Sequence, residues 1–264
     1  VLSDEACNAS VTYTVNIYAL PIVDFAMMNV CEGDETNFID FTSIPVPETV
    51  ATLDWDFGDG GSGTGGAPVY TYGSTGLHDV TLTATSANGC SSSLTLPLEV
   101  FPTPIANFSA TDVCINGGPT IFTDLSSITS GSIASWSWTF GDGSAGAIPS
   151  PTKKYLSPGT FDPELTVTSD EGCIGVVSIP INVFEKPTAN FTSDLTQICT
   201  PDCIKFTDLS SSATASISGW KWELENGDVA FDQHPSICFP AVGYDQNLDI
   251  EFIVTNDLGC KDTF

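Results

Sequence analysis

The chain has 264 residues, of which 33 are acidic and 6 are basic, and its formal net charge is −27. This negative field repels phosphate backbones and anionic lipid headgroups, which argues against nucleic acid as a partner. No run of about 18 to 20 apolar residues occurs, which argues against direct insertion into a membrane.

Residues 1–18 are predicted to be the C-terminal strand or strands of a preceding module. Cys7 lies ten residues before Ile17, just as Cys90 lies ten residues before Val100 further along the chain. The partner of Cys7 would then lie in the part of that module that comes earlier. A free or intermolecular thiol is the alternative for an odd cysteine in a secreted chain.

Two aromatic positions recur at a spacing of 83 or 84 residues. The first position holds Phe25, Phe108 and Phe191, and the second holds Trp55, Trp138 and Trp222. Such a period indicates repeated structural units. We predict a first module at residues 19–101, a second at 102–184, and a divergent third at 185–264 that lacks its last strand.

Each module is predicted to be all-β. In "HDVTLTAT", Val80, Leu82 and Ala84 alternate with polar residues and share one strand face. Similar segments recur in the other modules, whereas helical periodicity is not sustained anywhere. Several short strands separated by turn residues in about 83 residues favour a two-sheet antiparallel sandwich.

The repeated tryptophan opens a short motif, "WDFGDG" at residue 55 and "WTFGDG" at residue 138. Alternation places the aromatic side chains on one face, and the glycines with the aspartate between them supply a tight turn. The motif residues are Trp55, Phe57, Gly58, Asp59 and Gly60 in the first module, Trp138, Phe140, Gly141, Asp142 and Gly143 in the second, and Trp222 in the third. Trp136 and Trp220 either share the face of the motif tryptophan or lie near the start of its strand.

This motif, followed by "PVYTY" or "PTKKY" and by a strand such as "VTLTAT", resembles that of the PKD (polycystic kidney disease) domain family. The third module reads "WELENGD", which keeps the tryptophan and departs from the rest. The resemblance implies immunoglobulin-like β-sandwiches arranged end to end. It further implies a spacer, adhesive or protein-contact role on extracellular proteins or beside secreted hydrolases, and the acidic, cysteine-containing repeats look like those of large surface proteins of Bacteroidetes-type bacteria.

The nine cysteines follow the module period and indicate an oxidising, extracellular or cell-surface compartment. We predict one disulfide within each module, because each early cysteine is followed about 60 residues later by a cysteine that comes directly after a glycine. The predicted pairs are Cys31–Cys90, Cys114–Cys173 and Cys199–Cys260, with Cys203–Cys238 as an extra bond. Other pairings among the four cysteines of the third module remain open.

No catalytic residues are predicted. The aspartate at position 56 is replaced by Thr139 in the second module, so a pair of catalytic carboxylates is not repeated. His78 and His234 occupy unrelated module positions and are expected to be surface or edge residues. No cofactor is required, although the resemblance raises calcium as a ligand, with Asp24, Asp59, Asp142 and Asp228 as hard oxygen donors.

We therefore expect a non-catalytic stalk, fibre or adhesin segment of a large secreted or cell-surface protein. Its short linkers, such as "VFEKPTANF", favour neighbouring modules of the same chain as partners. Other protein or glycan surfaces, or copies of itself in a fibre, are further candidates. Two alternatives remain: an accessory array of a secreted protease or polysaccharide hydrolase, and an array of carbohydrate- or calcium-binding modules.

Overall fold

The computed structural model describes residues 11–199, 201–239, 247 and 249–264. These residues form strands and no helix, so none of them belongs to a helix able to span a bilayer. The chain divides into two compact units, one ending at Thr103 and the other running from Pro104 to Phe264.

The first unit contains one two-layer sandwich. Its strands are β1 (Phe25–Ala26), β2 (Val30–Cys31), β3 (Glu35–Asn37), β4 (Ile39–Asp40), β5 (Val50–Asp56), β6 (Ser62–Thr64), β7 (Val69–Thr71), β8 (Gly76–Ser86) and β9 (Ser91–Phe101). One layer has the order β2-β9-β8-β5-β6, and the other consists of the pairs β1-β4 and β3-β7. Only β2 and β9 pair in parallel among these strands, which confirms the predicted antiparallel sandwich.

The predicted alternation along β8 is confirmed. Val80, Leu82 and Ala84 are fully buried and face the opposite layer, whereas the residues between them are more exposed. His78 lies on the same buried face, where its Nε2 is 3.1 Å from the Ser74 carbonyl oxygen. The prediction of a surface or edge position for His78 is therefore wrong, because β8 lies between β9 and β5 in its sheet and the alternation turns this side chain inward.

The second unit begins with the sandwich of the second module. Its strands are β10 (Phe108–Ala110), β11 (Val113–Cys114), β12 (Thr120–Asp124), β13 (Ile133–Thr139), β14 (Ala145–Gly146), β15 (Thr152–Lys153), β16 (Gly159–Phe161), β17 (Glu164–Ser169), β18 (Ile174–Ser178) and β19 (Ile181–Phe184). One layer is β10-β12-β15, and the other comprises β14-β13-β17-β18 and β11-β19-β16. The break before β17 falls at Pro163, which has no backbone N–H to donate to a neighbouring strand.

The third module completes the second unit, and its described residues form seven strands. They are β20 (Phe191–Ser193), β21 (Cys203–Asp208), β22 (Ile217–Leu224), β23 (Val229–Ala230), β24 (Ser236–Cys238), β25 (Ile250–Asn256) and β26 (Lys261–Thr263). The layers are β20-β21-β24 and β23-β22-β25-β26. Their order repeats that of the corresponding strands in the second module.

Each module has a separate hydrophobic core centred on its motif tryptophan. The three tryptophans are equivalent in the sheets, because Trp55 lies opposite Leu82, Trp138 opposite Leu165, and Trp222 opposite Phe252. Each core also contains the recurring phenylalanine, and its ring lies edge-on to the tryptophan at 4.9 to 5.1 Å between centroids. The repeated aromatic spacing therefore corresponds to a repeated core.

The predicted tail of a preceding module lies partly outside the described residues, which begin at residue 11. Residues 11–18 form no strand, and all eight of them are exposed. A strand needs an adjacent strand to satisfy its backbone hydrogen bonds, and none of the described strands pairs with this segment.

Candidate functional site

The Gly-Asp-Gly segment of the first module is a tight turn held by its aspartate. Gly58 and Gly60 have φ of 82° and 95°, a left-handed conformation that favours glycine. The Asp59 carboxylate accepts hydrogen bonds from the Gly61 backbone N–H at 2.9 Å and from the Tyr70 hydroxyl at 2.9 Å. Hydrogen bonding to Asp59, followed by burial, raises the pKa of Tyr70. The aspartate therefore stabilises the turn and its neighbour.

Asp142 performs the same task in the second module and also forms an ion pair. It accepts a hydrogen bond from the Ser144 backbone N–H at 3.0 Å and lies 2.7 Å from the Lys153 Nζ. Partial burial alone would raise the pKa of Asp142, but the hydrogen bonds from Lys153 and Ser144 outweigh it and lower that pKa to about 2. A carboxylate with so low a pKa stays ionised at neutral pH and is unsuited to general acid catalysis.

The third module keeps the turn with different residues, a feature that sequence reasoning missed. Asn226 lies four residues after Trp222, as Asp59 lies four after Trp55, and its side chain accepts a hydrogen bond from the Asp228 N–H at 3.0 Å. Gly227 follows with φ of 92°. Because asparagine caps such turns as aspartate does, "ENG" could have been recognised as the counterpart of "GDG".

The motif tryptophans and tyrosines also serve the fold. The indole N–H of Trp55, Trp138 and Trp222 donates in each case to a carbonyl oxygen ten residues further on, at 2.8 to 2.9 Å. The buried Tyr155 hydroxyl donates to the Phe140 carbonyl oxygen at 2.9 Å, and burial together with the charge of Asp142 raises its pKa to about 12. These side chains are covered and already bonded, so they are not available to a ligand.

The second tryptophan of the later modules shares the face of the motif tryptophan. Trp136 and Trp220 pack against their cores and are partly buried. Their indole N–H groups donate to Asp124 at 2.7 Å and Asp208 at 2.8 Å. Burial alone would raise the pKa of Asp208, but hydrogen bonds from Ser210 and other neighbours lower it.

The cysteines mark the two ends of a module. Cys31 lies beside Phe101 in the sheet, and Cys114 lies beside Phe184, so each early cysteine is at the end from which the chain leaves the module. Cys90 directly precedes the first residue of β9, at the opposite end. Along β9 the two ends are about 33 Å apart at about 3.3 Å per residue.

The predicted disulfides within modules are therefore wrong. A disulfide needs Cα atoms about 4.4 to 6.8 Å apart, which the two ends of one sandwich cannot provide. Cys114 is instead bonded to Cys260, with Cα atoms 5.6 Å apart, and this bond joins the second module to the third. Cys31 and Cys173 are also disulfide-bonded, whereas Cys90 and Cys199 are free thiols.

The remaining cysteine predictions have different outcomes. Cys203 and Cys238 are joined as predicted and lie opposite each other on β21 and β24. Cys7 lies outside the described residues.

Further contacts hold the joint between the second and third modules. The buried Asn256 side chain accepts hydrogen bonds from the backbone of its own turn, including the Cys260 N–H at 2.9 Å. Its Nδ2 donates to the Glu185 carbonyl oxygen in the linker at 3.3 Å. On the other side, the Ile115 N–H donates to the Phe184 carbonyl oxygen at 2.8 Å. The linker is thus tied to both modules at two consecutive residues, Phe184 and Glu185.

A family model described as the PKD domain matches residues 18–100 and 102–183, together more than half of the chain. The chain belongs to the PKD domain family. The predicted tandem antiparallel β-sandwiches are confirmed.

The relatives of these PKD modules include a protease. The chain is 26% identical over 160 residues to the pre-pro-metalloprotease PrtV of Vibrio cholerae serotype O1; the match covers 61% of this chain and 17% of PrtV. Among solved structures, the PKD1 domain of V. cholerae PrtV is 30% identical, covering 31% of this chain and 98% of that domain, with a TM-score of 0.29. The PKD1 domain of Vibrio anguillarum Epp is 26% identical, covering 31% and 95%, with a TM-score of 0.29.

The candidate calcium ligands are spread over the three modules. Asp24 and Asp59 belong to the first, Asp142 to the second and Asp228 to the third. Among the described residues, no group of three or more aspartate, glutamate, histidine or cysteine side chains converges as a metal site would require. Asp59 and Asp142 instead cap their turns, and Asp228 receives a hydrogen bond from the Asn226 side chain at 2.8 Å.

Proposed function

We propose that this chain is a non-catalytic structural segment of a secreted or cell-surface protein, acting as a stalk, fibre or adhesin spacer. Its PKD modules hold a neighbouring domain or surface at a set distance. The partners are the adjacent modules of the same chain, and protein or glycan surfaces or further copies in a fibre are secondary candidates.

The observation that carries this proposal is the covalent joint between the second and third modules. The Cys114–Cys260 bond encloses 146 residues, which include nearly all of both sandwiches. Tension applied to this unit would pass from the start of the second module, through the bond, to the end of the third. Both sandwiches would then lie outside the direct path of the force, as suits a segment that maintains a distance under load.

The disulfides and the charge support an extracellular location. Disulfides persist in oxidising compartments and are rare in the cytosol, and six of the eight cysteines in the part of the chain that the structure describes are bonded. A net charge of −27 favours solubility of a chain of tandem β-sandwiches, because like-charged copies repel one another at long range.

Single-molecule force spectroscopy tests the proposal. A chain carrying C31S/C173S, in which no bond of Cys31 or Cys173 shortens the path of the force, is pulled from both ends. It is compared with the same chain carrying C114S/C260S in addition, in which the Cys203–Cys238 bond still hides 35 residues. The variant should release 146 less 35, or 111, additional residues, which adds about 390 Å at about 3.5 Å per residue. Equal extension of the two chains would remove the basis of the proposal.

A second candidate function follows from the similarity to PrtV. The chain would then be the accessory array of a secreted hydrolase and would contact the substrate of its catalytic domain. Biolayer interferometry against immobilised protein and polysaccharide substrates distinguishes this role, since a spacer should bind neither.

A further inference from the structure

The three glycine-cysteine turns have the same construction. In each, the cysteine N–H donates to the side chain four residues earlier, Ser86, Ser169 or Asn256, at 3.2, 3.0 and 2.9 Å. The preceding glycine has φ of 81°, 86° and 80°. Cys90, Cys173 and Cys260 are therefore presented by equivalent turns at the N-terminal end of their modules.

These equivalent cysteines differ in whether they form a disulfide bond. Cys260 is fully buried at the joint and bonded to Cys114, the early cysteine of the module before it. Cys173 is also buried and disulfide-bonded. Cys90 is free and only partly buried. The turn of the first module thus has the geometry of the other two without the bond.

We propose that Cys90 is an inter-module disulfide site. Its partner is the early cysteine of a PKD module seated against the N-terminal end of residues 19–101, placed as Cys114 is placed against Cys260. This inference does not depend on the mechanical role of the segment, because it rests on the equivalence of the turns.

The chemistry is an ordinary oxidation of two thiols. The Cys90 thiolate attacks a mixed disulfide formed between the partner cysteine and glutathione, so the new S–S bond forms as glutathione leaves. Overall, two thiols and one glutathione disulfide give one protein disulfide and two molecules of glutathione.

Cys199 is the counterpart of Cys31 and Cys114 in the third module. It follows Phe191 by eight residues, much as Cys31 and Cys114 follow Phe25 and Phe108 by six, and its thiol is exposed and free. By the same rule it would bond the glycine-cysteine turn of a module that follows the third.

The test is a four-module chain in which a copy of residues 19–101 is placed directly before residue 19. Cys90 of the added copy is replaced by serine, so only the original Cys90 remains. The chain is oxidised with glutathione disulfide at low protein concentration, alkylated, and digested with pepsin without reduction. Mass spectrometry should find Cys90 joined to Cys31 and no longer alkylated, whereas Cys90 of the 264-residue chain is alkylated.

The matched control carries Cys31→Ser in the added copy alone, and there alkylation of Cys90 should return. The Cys114–Cys260 peptide reports in every sample that the second unit has folded. The proposal is overturned if Cys90 remains alkylated in the four-module chain, if the control also loses that alkylation, or if Cys90 links two chains into a dimer.

Discussion

Replacing both Cys114 and Cys260 with serine removes the covalent joint and leaves the Cys203–Cys238 bond intact. A bond that closes a loop of 146 residues restricts the unfolded chain, and the chain-entropy relation gives about 5 kcal/mol of stabilisation at 25 °C. This exceeds the cost of most single substitutions, so the free energy of unfolding of the second unit should fall by a large fraction. Both cysteines are replaced together because a single remaining thiol could exchange with other disulfides.

Urea unfolding followed by tryptophan fluorescence measures this effect, since Trp138 and Trp222 are buried in the two affected cores. The unfolding midpoint of the double variant should be lower than that of the unchanged chain. Cys90→Ser is the matched control, because it removes a free thiol and should leave the midpoint unchanged. Coincident midpoints for the double variant and the unchanged chain would refute the assignment of the joint as a stabilising bond.

Three further outcomes are expected in the second module. Gly143→Ala should lower the free energy of unfolding by about 1 to 2 kcal/mol, because alanine disfavours the left-handed backbone at this position. Gly141→Ala should lower it further, because the added Cβ would also lie 2.9 Å from a backbone nitrogen. Equal thermal stability of the two variants would contradict this contact argument. Trp138→Ala should lower the free energy of unfolding by about 3 to 5 kcal/mol, and an unchanged denaturation midpoint would show that this core is not tightly packed. The lowered pKa of Asp142 stabilises the fold above the ordinary carboxyl pKa of about 4, and this contribution is lost as pH falls toward 2. Lys153→Met should raise that pKa in an NMR titration of the side-chain carboxyl, and no shift would show that the ion pair does not form in solution.

Local features of the modules were predictable because they depend on neighbouring residues. Period-two alternation places Val80 and Leu82 on the buried face of their strand, whichever strands pair with it. The aspartate between two glycines stabilises its turn through a hydrogen bond to a nearby backbone N–H. The motif tryptophans could be assigned to a core because three of them recur at one spacing. Even the divergent turn at Asn226 followed the same rules once asparagine was considered in place of aspartate.

The disulfide pairing was not predictable from spacing. The early and late cysteines of each module are about 60 residues apart. This constant spacing is compatible with bonds within modules and equally with bonds between successive modules, because both patterns repeat with the module period. Which of the two occurs depends on the end of the sandwich at which each cysteine lies. That information comes from the pairing of Cys114 beside Phe184 and from the position of Cys260 in its turn, and both require the sheet topology.

The placement of the early cysteine also imposes an order on biogenesis. A chain that appears amino terminus first exposes the Cys114 thiol to Cys173 before Cys260 has been made. Once the second sandwich has formed, its own length keeps those two sulfurs from meeting, and Cys114 must wait for the next domain. A Cys114–Cys173 bond formed before the second sandwich folds would trap a misfolded chain. Each module must therefore fold before its cysteines are oxidised.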